Sequence, residues 1–126
     1  MENPLSLDQL GQVSQLCRSA TESEHWYRDV LGLTHLYSYG PLVFFDCAGT
    51  RLFLREVPDE EWRPSSTLYF TVPDIASAHA ELAARGVGFS EPPQLIHRHE
   101  SGHEEWMAFF GDPDGNVLAL MSSVAA

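Results

Sequence analysis

Five consecutive residues near the end of the chain, Asp112-Pro113-Asp114-Gly115-Asn116, leave the backbone few choices. Pro113 presets its own φ, the Asp114 side chain can bond its own backbone, and Gly115 tolerates positive φ, so the segment reads as a tight turn. Phe109-Phe110-Gly111 precedes it and Val117-Leu118-Ala119-Leu120-Met121 follows. Two apolar runs flanking such a turn pair as a hairpin.

The chain before this hairpin reads as one plan used twice. Leu10 to Cys17 alternates as a strand with two differently used faces. Thr21-Glu22-Ser23-Glu24 has capping-box spacing, in which the Thr21 hydroxyl and the Glu24 carboxylate satisfy reciprocal N–H groups at a helix start. Trp26, Tyr27, Val30 and Leu31 then recur at helical spacing, and Gly32 is placed to end a helix of about three turns. Leu33 to Tyr39, Leu42 to Cys47 and Arg51 to Val57 read as three strands, divided by Gly40-Pro41 and Ala48-Gly49-Thr50. Pro58 to Ser66 is polar, carries two prolines and has no period, as a linker does.

Thr67 to Val72 starts the second copy, followed by a helix with Asp74 as N-cap, Ile75, Ala78, Leu82 and Ala83 on its inner face, and Arg85-Gly86 at its end. Val87 to Ser90, Leu95 to His99, Glu104 to Phe110 and Val117 to Ser123 complete it as strands. The expected fold is α+β: one domain over residues 1–126, made of two βαβββ modules at about 8–57 and 67–124 with the linker at 58–66. One sheet and one helix close too little core alone, so the modules are expected to join through their curved mixed sheets or to exchange with a second chain. The cleft between those sheets is the expected ligand site.

Two stretches carry a resemblance to a known family. Trp26-Tyr27-Arg28-Asp29-Val30-Leu31-Gly32-Leu33 is similar to the Phe-Tyr-x-x-x-Leu-Gly-Leu helix end of the vicinal oxygen chelate superfamily, which comprises glyoxalases, bleomycin resistance proteins and ring-cleaving dioxygenases. The Asp112 to Asn116 turn resembles that superfamily's last hairpin. The resemblance spans Leu10 to Ser123 and implies the paired βαβββ plan, often as a homodimer; one fold of this kind hosts many chemistries.

In the superfamily's enzymes, four strand residues hold a divalent cation that polarises two vicinal substrate oxygens. Carried over by position, those ligands fall on Gln12, Phe53, Thr67 and Ala119. A Gln amide oxygen can coordinate, Thr is a poor neutral ligand, and Phe and Ala have no donor. Glu56 lies three residues beyond Phe53, on the opposite face of a regular strand, and would turn inward only through a β-bulge. His97 and His99 share a strand face, and His103 with Glu104 and Glu105 lies just across a Gly102-containing turn; the set reads as the polar, solvated face of an edge hairpin, with a spacing at which imidazoles can also bind zinc, nickel or copper. His25, His35 and His79 read as surface or packed residues.

Alternation places Gln12 with Ser14, Phe53 with Arg55, Thr67 with Tyr69, and Ala119 with Met121 on the former ligand face; Trp106 is added as the other large ring. Aromatic and thioether groups suit a flat or apolar ligand, with Gln12, Thr67 and the Tyr69 hydroxyl to orient it. Arg51 and Arg55 flank Phe53, placed to meet a carboxylate or phosphate. Cys17 and Cys47 read as free buried thiols, and no catalytic nucleophile arrangement stands out.

The leading expectation is a binding protein that holds a small organic molecule, with no metal or other cofactor. Its rival is a metal-dependent lyase, isomerase or dioxygenase-like enzyme of the same superfamily. Seven basic against 18 acidic residues give a net charge of −11, which disfavours nucleic acid and anionic membranes as partners. The N-terminus lacks a signal-peptide pattern and no apolar run approaches the roughly 20 residues of a membrane span, so a cytoplasmic protein is expected, and the exposed sheet edges that two such modules leave predict a homodimer.

Overall fold

A computed structural model describes residues 5–126, and the chain forms two compact units, Met1–Arg63 and Pro64–Ala126. The first contains strand β1 (Gln12–Cys17), helix α1 (Ala20–His25) running into a π-helical turn (Trp26–Val30), then β2 (Thr34–Tyr39), β3 (Leu42–Cys47) and β4 (Thr50–Glu56). A short 3₁₀ turn at Asp59–Glu61 follows. The second contains β5 (Leu68–Thr71), helix α2 (Ile75–Ala84), β6 (Gln94–Arg98), β7 (Glu104–Gly111) and β8 (Val117–Val124). The sheets repeat one topology, β1-β4-β3-β2 and β5-β8-β7-β6, with the outer pairs β1–β4 and β5–β8 parallel and the rest antiparallel. This is the α+β fold with a βαβββ plan in each unit. No helix among the described residues is long and apolar enough to cross a membrane.

One face of each sheet is covered by its helix. Cys17, Val43, Phe45, Leu52 and Leu54 are buried in the first unit, where the Tyr27 ring lies 5.7 Å from that of Phe45. In the second, Ala108, Phe110, Leu118 and Leu120 are buried with Ile75 and Leu82 of α2.

The start of α1 corrects the capping-box expectation. The N-cap is Ser19, whose hydroxyl accepts from the Glu22 N–H at 3.1 Å, while Oε1 of Glu56 accepts from the Ala20 N–H at 2.8 Å. Thr21 is an exposed first-turn residue. Both hydroxyls suit a cap by type; the β4 carboxylate, 36 residues away, satisfies a second orphan donor only when the helix starts at Ala20.

Glu24, freed from capping, accepts from the Ser38 hydroxyl at 2.7 Å and pairs with Arg28 at 2.9 Å. The Ser38 hydrogen bond, aided by His35 and Arg28 and opposed by burial, holds the Glu24 carboxyl below the usual glutamate range. A depressed folded-state pKa contributes stability that is present above the unfolded pKa and is lost as pH falls through the folded value. Glu24→Gln is therefore expected to flatten the acid limb of an unfolding-midpoint profile between about pH 6 and 3. A wild-type acid slope in that variant would contradict the assignment.

Val87 to Ser90 does not form a strand, which corrects the expectation of four strands after α2. The Gly86 N–H bonds the Ala83 carbonyl and the Val87 N–H the Leu82 carbonyl, both at 3.0 Å, with Gly86 at φ +93°. Val87 is thus consumed in the C-terminal cap of the helix. Only a single bridge, Phe89 to Phe110, joins this stretch to the sheet.

The closing hairpin forms with a locked turn. Oδ1 of Asp112 accepts from the N–H groups of Asp114 and Asn116, and Oδ2 accepts from Nδ2 of Asn116, each at 2.9 Å. Gly115 has φ +98°, and Asn116 is fully buried.

Candidate functional site

The sheet face turned away from α1 gathers the chemistry of the first unit. In register, Gln12 lies beside Arg51, Ser14 beside Phe53, Phe53 beside Phe44, and Arg55 beside Leu42. Direct cross-strand neighbours share a face, so these residues lie together. Gln12, Ser14, Phe53 and Arg55 are thus assembled as alternation implies.

Strand β2 adds two rings that alternation alone sends elsewhere. Its register jumps from His35 opposite Phe45 to Tyr37 opposite Phe44, leaving Leu36 as a bulge. Unbroken pairing would set Tyr37 against Val43, on the helix side. One extra residue moves Tyr37 and Tyr39 to the open face. Tyr37 stacks on Phe44 at 4.6 Å, Phe44 on Phe53 at 5.3 Å and Tyr39 on Phe44 at 6.0 Å, making a ladder of rings across three strands. Tyr39 is 60% exposed and Tyr37 43%.

Arg51 is braced at the end of this ladder. It donates through one terminal nitrogen to Oε1 of Gln12 at 3.0 Å and through the other to the Tyr37 hydroxyl at 3.2 Å. Its guanidinium carbon lies 5.6 Å from the centre of the Phe44 ring.

The donor set does not fit a divalent cation. Gln12 offers its oxygen to a guanidinium, Phe53 and Ala119 have none to offer, and Glu56 faces the helix side, where it caps α1. Glu56 thus stays on the face opposite Phe53, where a regular strand puts it, since β4 pairs in unbroken register with both neighbours. His97 and His99 stand with ring centres 4.6 Å apart, and Nε2 of His99 lies 3.0 Å from Oε2 of Glu105. Even so, no three His, Cys, Asp or Glu side chains among the described residues are grouped to hold a metal ion.

The open face of the second unit carries Tyr69, Ala119 and Met121 in one register block, with Phe109 beside Ala119 and Met107 beside Met121. Thr67, half-buried, precedes β5 in the same alternation. Tyr69 and Phe109 meet edge to face at 6.0 Å. Ala119 is fully buried and presents no surface of its own.

Trp106 is the residue that the fold separates from the others. It pairs with Ser122, on the face covered by α2, where it lines a groove of about 650 Å³ with Pro73, Ile75, Pro93 and Val124. Its Nε1 donates to Oε1 of Glu104 at 3.1 Å. An even number of residues separates it from Ala108 and Phe110, both buried on the helix side, and that parity was the available signal. Tyr37, Tyr39 and Phe44 were the residues missed; the aromatic density of β2 and β3 marked them, but the bulge that aims the tyrosines leaves no sequence signature.

Neither thiol is poised as a nucleophile. Cys17 is buried, and burial, followed by the neighbouring Asp46 charge, pushes the Cys47 thiol up, so it stays protonated at neutral pH.

A family model described as the glyoxalase/bleomycin resistance protein/dioxygenase superfamily matches residues 9–120. A relative named glyoxylase I 4, from Arabidopsis thaliana, is 28% identical over 130 residues, covering 94% of this chain and 72% of that protein. Among solved structures, TnmS3, an antibiotic binding protein from Streptomyces sp. CB03234, is similar at TM-score 0.75 and 21% identity, over 94% of this chain and 98% of the other. Lactoylglutathione lyase from Agrobacterium tumefaciens is similar at TM-score 0.70 and 21% identity, over 91% and 93%. At such identities the structural likeness speaks for the fold alone.

Proposed function

The chain belongs to the glyoxalase/bleomycin resistance protein/dioxygenase superfamily, and on that premise we propose that it binds a small planar organic molecule on the open face of its first unit, without a divalent metal. The observation that carries this reading is the ladder of Tyr37, Phe44 and Phe53, at 4.6 and 5.3 Å, left open to solvent at its tyrosine end. Stacked rings offer a flat ligand a large contact area at little entropic cost, because each has only two side-chain torsions to fix. The donor chemistry supports the metal-free part, since the carried-over ligand positions include a Phe, a buried Ala and a Gln already bound to Arg51. An antibiotic binding protein of similar fold is consistent with sequestration as the task. Taken by itself, the open face of the second unit offers apolar contacts through Tyr69 and Met121 and an orienting hydroxyl through Thr67.

Screening planar aromatic compounds by intrinsic fluorescence and calorimetry tests it. Binding is expected to survive exhaustive chelation and to weaken about tenfold or more in Phe53→Ala, which removes a ring worth roughly 1–3 kcal/mol of contact. A stoichiometric divalent ion needed for binding would overturn the reading.

The enzyme reading draws on one finding, the relative named glyoxylase I 4. It requires turnover on addition of nickel, zinc, manganese or iron, abolished in Gln12→Ala. The binding reading has no turnover to lose. We place the protein in solution as a homodimer, supported by β6, all of whose residues are exposed, and by the apolar bulge residue Leu36 on β2. Light scattering at micromolar concentration giving the mass of one chain would refute that part alone.

A further inference from the structure

We infer that Arg51 is a fixed organic cation standing in for a metal, and that the ligand is therefore a planar aromatic carboxylate. This rests on the binding function proposed above.

The charge inventory places Arg51 among the arginines that stand outside ion pairs. Every basic residue of the chain is an arginine, and four of the seven sit beside carboxylates: Arg18 by Asp59, Arg28 by Glu24 and Asp29, Arg85 by Glu81, and Arg98 by Glu104. In a chain with 18 acidic residues, the arginines of the aromatic face, Arg51 and Arg55, have no carboxylate partner among the described residues. Asp46 is the direct cross-strand neighbour of Arg51, yet its Oδ1 accepts instead from the Gly49 N–H at 3.0 Å. Of the three arginines outside the ion pairs, Arg51, Arg55 and Arg63, two lie on this face.

That charge is also held in place. Gln12 and Tyr37 take two of the five N–H donors of the guanidinium, and both partners are neutral, so they orient Arg51 without cancelling its charge. Three donors remain in a rigid planar fork, the geometry that matches the two oxygens of a carboxylate. The 3.2 Å bond to the Tyr37 hydroxyl sets the reach: a ring lying on the exposed tyrosine end of the ladder can bring a directly attached carboxylate to Arg51. The same guanidinium, bound to Gln12 Oε1, repels any metal approaching that oxygen. A metal and Arg51 would offer oxygens the same service, positive charge with open coordination, and here the amide oxygen serves Arg51.

The test compares 2-naphthoate, 2-naphthalenemethanol and 2-naphthylmethylammonium, which share one ring system and differ in charge, by calorimetry on the full chain. Wild type is expected to bind the carboxylate at least tenfold tighter than the alcohol and to bind the ammonium weakest. Arg51→Gln keeps hydrogen-bonding capacity and removes the charge. It should bring the carboxylate down to the level of the alcohol while leaving the alcohol within about twofold, and Arg51→Lys should recover part of the difference. Phe53→Ala should weaken carboxylate and alcohol alike. Equal binding of carboxylate and alcohol by wild type, or an unchanged ratio in Arg51→Gln, would overturn the role of Arg51 and leave the aromatic platform standing. Binding of none of the three would overturn the platform and the role of Arg51 together. Circular dichroism and the urea midpoint verify that the Arg51 variants are folded.

Discussion

Asp112→Ala is expected to lower the stability of the protein by about 3 kcal/mol, read as a fall in the urea midpoint. The side chain is an acceptor for three donors: the backbone N–H groups of Asp114 and Asn116 and the Nδ2 of Asn116, all at 2.9 Å. Asn116 is fully buried, so two of those donors would lose their acceptor with no water to replace it. An orphaned buried donor costs about 1–3 kcal/mol, whereas the half-buried Asp114 N–H can turn to solvent at less cost. The damage extends beyond the turn, because Oδ1 of Asn116 accepts from the Ser65 N–H at 3.3 Å, and a freed Asn116 releases the entry into the second unit. Asp112→Asn keeps one carbonyl oxygen for the backbone donors but sets an amide NH₂ against that of Asn116, so about half the loss is expected. A loss under about 1 kcal/mol in the alanine variant would show that Pro113 and Gly115 hold the turn unaided.

Phe45→Ala is expected to be more damaging, at about 4 kcal/mol. Phe45 is fully buried on the central strand β3, between the rings of Tyr27 and His35, each 5.7 Å away. Removing it forfeits the transfer energy of the ring and leaves a cavity that two sheet neighbours and the π-helical turn cannot close. Phe45→Leu fills most of the volume and should cost about 1.5 kcal/mol. The ratio of the two is the informative measurement: near-equal losses would mean that ring shape rather than volume is what the site requires. The residue next in sequence, Phe44, points the other way into the aromatic ladder, so β3 carries core and candidate site on alternate residues.

Much of this was legible before any coordinates. The hairpin at Asp112 to Asn116, the Asp74 cap of α2, the Gly32 and Gly86 helix ends and the twofold βαβββ plan follow from local chemistry, since turn residues, caps and positive-φ glycines act within a few residues of themselves. Val87 to Ser90 failed as a strand for the same local reason, once the cap consumed the Val87 N–H. The start of α1 was less legible because two hydroxyls, Ser19 and Thr21, compete for the cap on equal local terms.

The candidate site divides the same way. Local alternation placed Gln12, Ser14, Phe53 and Arg55 on one face of the first unit, and Tyr69 and Met121 on one face of the second. Residue type alone showed that Phe53 and Ala119 cannot ligate a metal. Three matters were decided only by tertiary structure: the Leu36 bulge that brings Tyr37 to Phe44, the capture of Glu56 by the N-terminus of α1, and the bracing of Arg51 between Gln12 and Tyr37. Each joins residues from 14 to 39 positions apart or turns on a register choice between strands. A sequence states which donors and rings a chain possesses, but a hydrogen bond or a stack exists only when two strands choose a register, and that choice is a property of the folded sheet.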